Sequence, residues 1–353
     1  MAPHRAGLRS LCGKAASMSD NRIAGPIKAS VILPTKNGGA LFRDVLAAVL
    51  GQKTRFSYEV LVIDSGSTDG TVEFLQGRHD PRLRLQRIAP AEFGHGRTRN
   101  LGVRLSQGEY VVFLTQDALP ANRNWLAALV ALADSDPRIA GVFGRHLAYP
   151  QASPFTAAEL EAHFAGFAAQ PVVCLDDPAR YARDIGYRQF LHFFSDNNAL
   201  IRRSVWEQIP YPDVDFAEDQ IWAQRVIEAG WKKAYCHEAA VFHSHDYGPL
   251  GRLRRSFDES SALHRLFGYR LCPNGRALLR NWLALVWRDW QLTRRQRLWR
   301  THPGSMLAMP LDHLMRLIGH ALGPLGERMP PWLRDFLSAD RRLLLGQDLP
   351  RKA

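Results

Sequence analysis

The chain has 353 residues, 46% of them hydrophobic, with a formal net charge of +12 and a pI near 9.9. That length supports one large α/β domain with an appendage, or two domains, and the positive balance asks for an anionic partner: nucleotide, nucleic acid or lipid headgroup. Four scattered cysteines (Cys12, Cys174, Cys236, Cys272) without a CxxC pair argue against a disulfide frame or a zinc site, and no apolar run reaches the roughly 18 residues of a membrane span.

Residues 1–27 carry Arg5, Arg9 and Lys14 but no continuous apolar segment of the signal-peptide kind, so a disordered extension and a cytoplasmic protein are expected; Met18 is an alternative start. From residue 29 to about 145, strand and helix patterns alternate. "ASVILP" (29–34) is a continuous apolar run suited to a strand covered on both faces. Leu41, Val45, Leu46, Val49 and Leu50 then mark one face of a helix. "YEVLVID" (58–64) is a second buried strand, 71–77 a short helix, and 83–88 a weaker strand at an edge. A helix over 98–107, a strand over 109–114 and a helix over 122–135 follow, and βαβα order of this kind predicts a doubly wound, mostly parallel sheet.

Residues 146–190 read as loops with a partial helix. Beyond them a strand is expected at 197–203, a helix at 218–230 closed by Gly230, and two short strands within 231–243. After residue 250 the texture changes. Residues 252–300 hold twelve arginines, no lysine and three acids, interleaved with Trp282, Trp287, Trp290 and Trp299.

Several residues carry chemistry. Asp117 follows the strand 109–114, and ligands of open parallel sheets sit beyond the strands' carboxyl ends; it is either a metal ligand or a helix N-cap. Asp64, before Ser65-Gly66-Ser67, can accept the N3–H of a uracil or thymine ring or close an Asx-turn. Asp69 is expected to cap the next helix. His95, Arg97 and Arg99 lie in a glycine-flexed loop opening a helix, a setting that suits phosphate oxygens. There is neither a GxGxxG nor a Walker A pattern, which disfavours dinucleotide oxidoreductases and P-loop enzymes. Glu218 and Asp219 stand at a helix start, where acids also complement the dipole. His243 and His245 alternate at period two, so both imidazoles point to one side and, with an Asp-bearing strand, suggest a divalent-metal site.

In this order, "SVILPTKNGG", "VIDSGSTDGT", "TRNLG", "TQD", Glu218-Asp219 and His243 resemble the family 2 glycosyltransferases, inverting enzymes with the GT-A nucleotide-diphospho-sugar fold, over residues 28 to about 270. "FGHGRTRNLG", "LTQDALP", "FFSDNNALIRRSVW", "AEDQIWAQRVIEAGW" and "VFHSHDY" look like the rhamnosyltransferase branch, which uses dTDP-L-rhamnose to build surface polysaccharides. Two departures stand out. The family's DxD is reduced to Thr115-Gln116-Asp117, and Ser65 stands where many relatives carry a second Asp.

The resemblance implies a GT-A domain over 28–250 and a helical, Arg/Trp-rich region over 251–353. It implies Mg²⁺ or Mn²⁺ held by Asp117 and His243, with His245 as a further ligand, and Asp219 as general base with Glu218 as the fallback. Pro34, Thr35, Asp64, Ser65, His95, Arg97, Arg99, Asn100 and Gln116 would bind the nucleotide-sugar, and Asp196, Asn197 and Asn198 the saccharide acceptor. The acceptor would be carried on a polyprenyl diphosphate, as in O-antigen synthesis. A UDP- or GDP-sugar donor is the alternative. The high pI also fits a nucleic-acid-binding protein, but no RNA-binding signature occurs and the arginines cluster late in the chain. A non-catalytic scaffold has no need for Asp64, Asp117, Asp219 and His243 together. In residues 276–300, Leu279, Trp282, Leu283, Val286, Trp287 and Trp290 recur at spacings of three and four. That stripe either lies on an anionic membrane surface or packs on the catalytic domain or on a second subunit.

Overall fold

Strands buried on both faces organise the molecule. The computed structural model describes residues 25–214 and 216–339, so the extension expected over 1–27 lies almost wholly outside the described residues. The first half alternates β1 (Ile27–Thr35), α1 (Gly39–Leu50), β2 (Ser57–Asp64), α2 (Thr71–Gln76), β3 (Leu83–Arg87), α3 (His95–Leu105), β4 (Tyr110–Leu114), the two-residue β5 (Leu119–Pro120), α4 (Trp125–Asp134) and β6 (Ile139–Leu147). Val31 and Leu33 of β1 pack with Phe42, Leu46, Trp125 and Leu129 on the face covered by α1 and α4. Ile32, one residue out of phase, enters the opposite core with Val103 and Phe113. This alternation explains why the strand reads as an unbroken apolar run.

The second half runs α5 (Pro154–Ala168), β7 (Val172–Val173), α6 (Pro178–Arg183), α7 (Ile185–His192), β8 (Asn198–Arg202), α8 (Arg203–Trp206), α9 (Glu218–Glu228) and β9 (Lys232–Phe242). The sheet order is β3-β2-β1-β4-β8-β6-β9-β5, with β7 beside β9. The β1–β2, β1–β4, β2–β3 and β6–β9 pairs are parallel, whereas β8 runs antiparallel to both β4 and β6.

Three expectations are corrected. Residues 146–190 are not mainly loop: α5 is 15 residues long, with Ser153 accepting from Phe155 N and Pro154 in the first turn. Its Ala-rich face has few large apolar residues to mark a period. Residues 139–145, for which no strand is expected, belong to β6. Residues 232–242 form one strand, not two, because the break in alternation is a register shift against Gly144–His146.

The C-terminal layer comprises α10 (Pro249–Phe267), α11 (Gly275–Gln296), α12 (Leu298–Thr301), α13 (Pro303–Leu322) and α14 (Pro331–Leu337). It is packed on the sheet domain. Phe155 of α5 shares a buried cluster with Leu298 and Met309, Arg316 ion-pairs with Glu159, and Tyr269 Oη lies 3.2 Å from His192 Nδ1. No helix among the described residues is long and apolar enough to cross a membrane.

Candidate active site

The parallel strands converge on one edge of the sheet. Thr35 ends β1 in register with Asp64 at the end of β2, and Leu114 at the end of β4 pairs with Asn198 at the start of β8. Gln116 Oε1 accepts from Thr35 Oγ1 at 2.8 Å and from Lys36 N at 2.9 Å, stitching β4's loop to β1. Ser65 N and Oγ both donate to Thr35 O. Asp64 Oδ1 accepts from Gly66 N and Ser67 N at 3.0 Å, the Asx-turn expected of it. Its Oδ2 is buried with no partner. An unfilled carboxylate oxygen in such a place suits a donor supplied by a ligand, such as the N3–H of a pyrimidine ring. Gly66 sustains the turn at a φ of 94°. Asp69 accepts from Thr71 N at the start of α2 and from Gly39 N, a structural role. Pro34 is half-buried within β1.

Beyond β4, Asp117 meets the end of β9. His243 Nε2 lies 3.6 Å from Asp117 Oδ1 and His245 Nε2 3.3 Å from Oδ2. One ligand atom from each residue falls within 4.8 Å of the others, compact enough to converge on a single cation. Burial pushes His243 down to about 4, with His245 and Arg255 adding to the fall and Asp117 opposing it. The ring is therefore neutral at pH 7, the form that ligates a metal. Asp117's backbone carbonyl accepts from Tyr149 Oη at 3.0 Å, and Tyr149 N donates to Ser244 Oγ, so the segment after β6 pins both sides of the triad. Two imidazoles and a carboxylate fit Mn²⁺ better than Mg²⁺, which prefers an all-oxygen shell.

A third group gathers at the start of α9. Ala217 takes a left-handed conformation, φ 58°, which for alanine costs about 1 kcal/mol or more. That bend delivers Glu218 and Asp219 to the edge of the sheet. Glu218 is buried against Arg99 of α3, and Arg99 Nε lies 3.0 Å from Asp196 Oδ2. Asp196 Oδ1 accepts from Tyr211 Oη at 2.8 Å. Half-buried Asp219 accepts from Asp196 N at 3.3 Å. Three carboxylates thus surround one guanidinium. Burial, reinforced by the charges of Glu218 and Asp196, pushes Asp219 well above the usual carboxylate range. Asp196 is lifted to about 7, by burial first, against the pull of Arg99.

The structure places other expected residues differently. Arg99 is buried among carboxylates, paired with Glu218 and Asp196, and its Nη1 donates to His95 O at 3.2 Å. Arg97 pairs with exposed Asp213, Nε to Oδ2 3.2 Å, and His95 lies edge-on to Phe93. Asn100 is spent on the segment before α9: it donates to Tyr211 O and accepts from Trp206 Nε1 and Tyr211 N. Asn198 is fully buried, accepting from Trp125 Nε1 and donating to Ala239 O, so it has nothing left for an acceptor sugar. Asn197 is half-buried; its carbonyl accepts from Thr115 N, linking the β4 loop to the carboxylate cluster. Tyr149, Tyr211 and His146 also take part, and no sequence motif marks them. His146 sits edge-on behind His243 at 5.3 Å. These contacts join segments up to 111 positions apart, and no local spacing announces them.

The family model "Glycosyl transferase family 2" matches residues 30–209, just over half of the chain. The chain belongs to glycosyl transferase family 2. This transferase is 37% identical over 235 residues to the O-antigen chain rhamnosyltransferase RfbN of Salmonella typhimurium, covering 66% of this chain and 71% of that one. It is 33% identical over 232 residues to the O-antigen chain rhamnosyltransferase WbaN of Salmonella anatum, covering 65% and 70%. Among solved structures it is similar to a mannosyltransferase from Pyrobaculum calidifontis in complex with GDP-Man and Mn²⁺. The TM-score is 0.54 at 20% identity, with 87% of this chain and 89% of that one covered, a likeness of fold. The enzyme is a glycosyltransferase with a GT-A architecture, and Asp219 and the two histidines lie beyond the segment that the family model matches.

Proposed function

We propose that this transferase moves L-rhamnose from dTDP-L-rhamnose to a saccharide acceptor in O-antigen synthesis, with inversion at the anomeric carbon. The observation that carries the reading is the meeting, at one sheet edge, of an unfilled Asp64 oxygen, the Asp117–His243–His245 triad and a carboxylate of raised affinity for protons. The two Salmonella relatives support rhamnose as the sugar. Asp64 would accept the thymine N3–H while Thr35 and Gln116 line the base and ribose. Asp117, His243 and His245 would hold a divalent cation, Mn²⁺ by donor chemistry, which when bound neutralises charge on the diphosphate.

Asp219 takes the proton of the acceptor hydroxyl as its oxygen bonds to the anomeric carbon, and the bond to the nucleoside diphosphate breaks. A base poised near working pH is effective here. Burial of Asp219 beside Glu218 and Asp196 raises its pKa toward that range. Arg99 keeps the three carboxylates together. Asp196 and Asn197 stand beside the base, where acceptor hydroxyls would arrive.

Thermal shift against dTDP, UDP, GDP and CDP, each with Mn²⁺ or Mg²⁺, tests the donor. A ligand at 100 times its Kd stabilises by about 2.7 kcal/mol. A shift is expected with dTDP, and with UDP, which shares the N3–H; it should shrink in EDTA and in Asp117→Ala. Preference for GDP would overturn the rhamnosyl assignment, and an undiminished metal-dependent shift in Asp117→Ala would overturn the cation site.

A further inference from the structure

Among the described residues, one face of α11 has no partner. The helix turns Trp282 and Val286 inward: Trp282 Nε1 donates to Pro310 O at 2.8 Å, and Val286 packs on the Phe155–Leu298–Met309 cluster. Two of the six residues of the expected stripe are therefore protein contacts. Leu279, Leu283, Trp287 and Trp290 point outward, 56%, 53%, 60% and 43% exposed. At 3.6 residues per turn these four fall within about 80° of arc, a continuous apolar strip along the helix. Two exposed tryptophans on such a strip are far from the scattered apolar residues of an ordinary surface.

The charge around the strip is of one sign. Exposed Arg276, Arg280 and Arg294 fall among and beside the apolar residues on the same face. The helix's single acid, Asp289, is buried, 2.7 Å from Arg288 Nε and 2.7 Å from His313 Nε2. No carboxylate of α11 is left to answer these arginines. A second copy of the chain meeting the face across a two-fold axis would bring arginine against arginine. A sheet of anionic headgroups over acyl chains answers both features, because arginines reach phosphates while indole and leucine side chains enter the interface.

We propose that the exposed face of α11 is a docking surface for an anionic lipid bilayer, on which the helix lies parallel to the membrane plane. The surface shares no residue with the candidate catalytic site and does not depend on the sugar transferred. It would hold the enzyme at the interface without a spanning segment, so that an acceptor embedded in the bilayer is met by diffusion in two dimensions.

Co-sedimentation of the full chain with vesicles of phosphatidylcholine and phosphatidylglycerol (70:30), and of phosphatidylcholine alone, tests this at low and high salt. Binding to the mixed vesicles at low salt is expected. It should fall roughly tenfold or more in high salt and to a similar degree in Trp287→Ala/Trp290→Ala. Arg280→Gln/Arg294→Gln should weaken binding to mixed vesicles and flatten the salt dependence. Both double variants change exposed side chains, so their unfolding temperature and nucleotide-induced shift should match the parent, separating lost docking from lost folding. No binding to mixed vesicles at low salt, or equal binding to the neutral ones, would overturn the proposal. So would light scattering that shows a dimer dispersed by Trp287→Ala/Trp290→Ala, which would assign the face to a second copy.

Discussion

Asp219, the proposed base, shows how position, more than residue type, sets a carboxylate's affinity for protons. An exposed aspartate is a poor proton acceptor near neutrality; this one faces Glu218, Asp196, Arg99 and Tyr211, and burial with two like charges outweighs the single guanidinium. Only the ionised form accepts a proton, so turnover should fall as pH drops through the raised pKa. Asp219→Asn should reduce kcat by about 10²–10⁴-fold with donor binding intact. Asp196→Asn removes one of the charges that raise Asp219, so the acid limb of kcat/KM should move to lower pH. A pH–rate profile decides it: an acid limb that stays in place or moves upward would remove the carboxylate cluster from control of the base.

At the scale of elements, the approach of α3 to the segment before α9 sets the site. Gly96, in the first turn of α3, lies so close to Pro212 that a Cβ there would run into the Pro212 carbonyl oxygen. The contact holds Arg99, one turn on, against Glu218 and Asp196. Gly96→Ala should therefore cost about 1–3 kcal/mol of stability through overpacking, and should lower kcat more than donor affinity, because the base moves and the nucleotide end does not. Denaturant unfolding together with steady-state kinetics measures both; an alanine variant with parental stability and kcat would show that α3 does not position the cluster. On the same face of the sheet, Lys233 in β9 is buried and donates to the carbonyls of Phe190, Leu191 and Phe193. It closes the C-terminal end of α7 with a cation where the helix dipole is negative. Burial holds its ammonium well below the usual lysine range.

For the whole molecule, the helices after residue 250 complete the fold. They cover Phe155 of α5, supply Arg316 to Glu159 and bring Tyr269 against His192, which burial holds at about 4. A chain ended at residue 250 would uncover these groups. It should lose about 3 kcal/mol or more from exposed apolar area alone and either unfold at a lower temperature or fail to stay in solution. A truncated protein that remains monomeric with the parental unfolding temperature would show the sheet domain to be independent after all.

The strand-and-helix order of residues 27–134 is legible without coordinates, because a strand buried on both faces is an apolar run and a covering helix repeats every three to four residues. So are the residues that end those strands, Asp64, Asp117 and His243, since a polar side chain closing an apolar run has few places to be except the sheet's edge. What the sequence by itself determined is therefore which residues close the strands at the candidate site and their order along the chain. Tertiary structure decided the partners. Arg99, by its chemistry, is equally suited to phosphate or carboxylate, and only the packing of α3 against the segments around α9 and β8 gives it Glu218 and Asp196. Asn100 and Asn198 have the chemistry of sugar ligands and are consumed by tryptophan N–H groups and backbone. In α11 one helical period marks both the residues that face α13 and those that face outward. Spacing records that a face is apolar, and only the neighbouring helix determines how much of that face the protein itself covers.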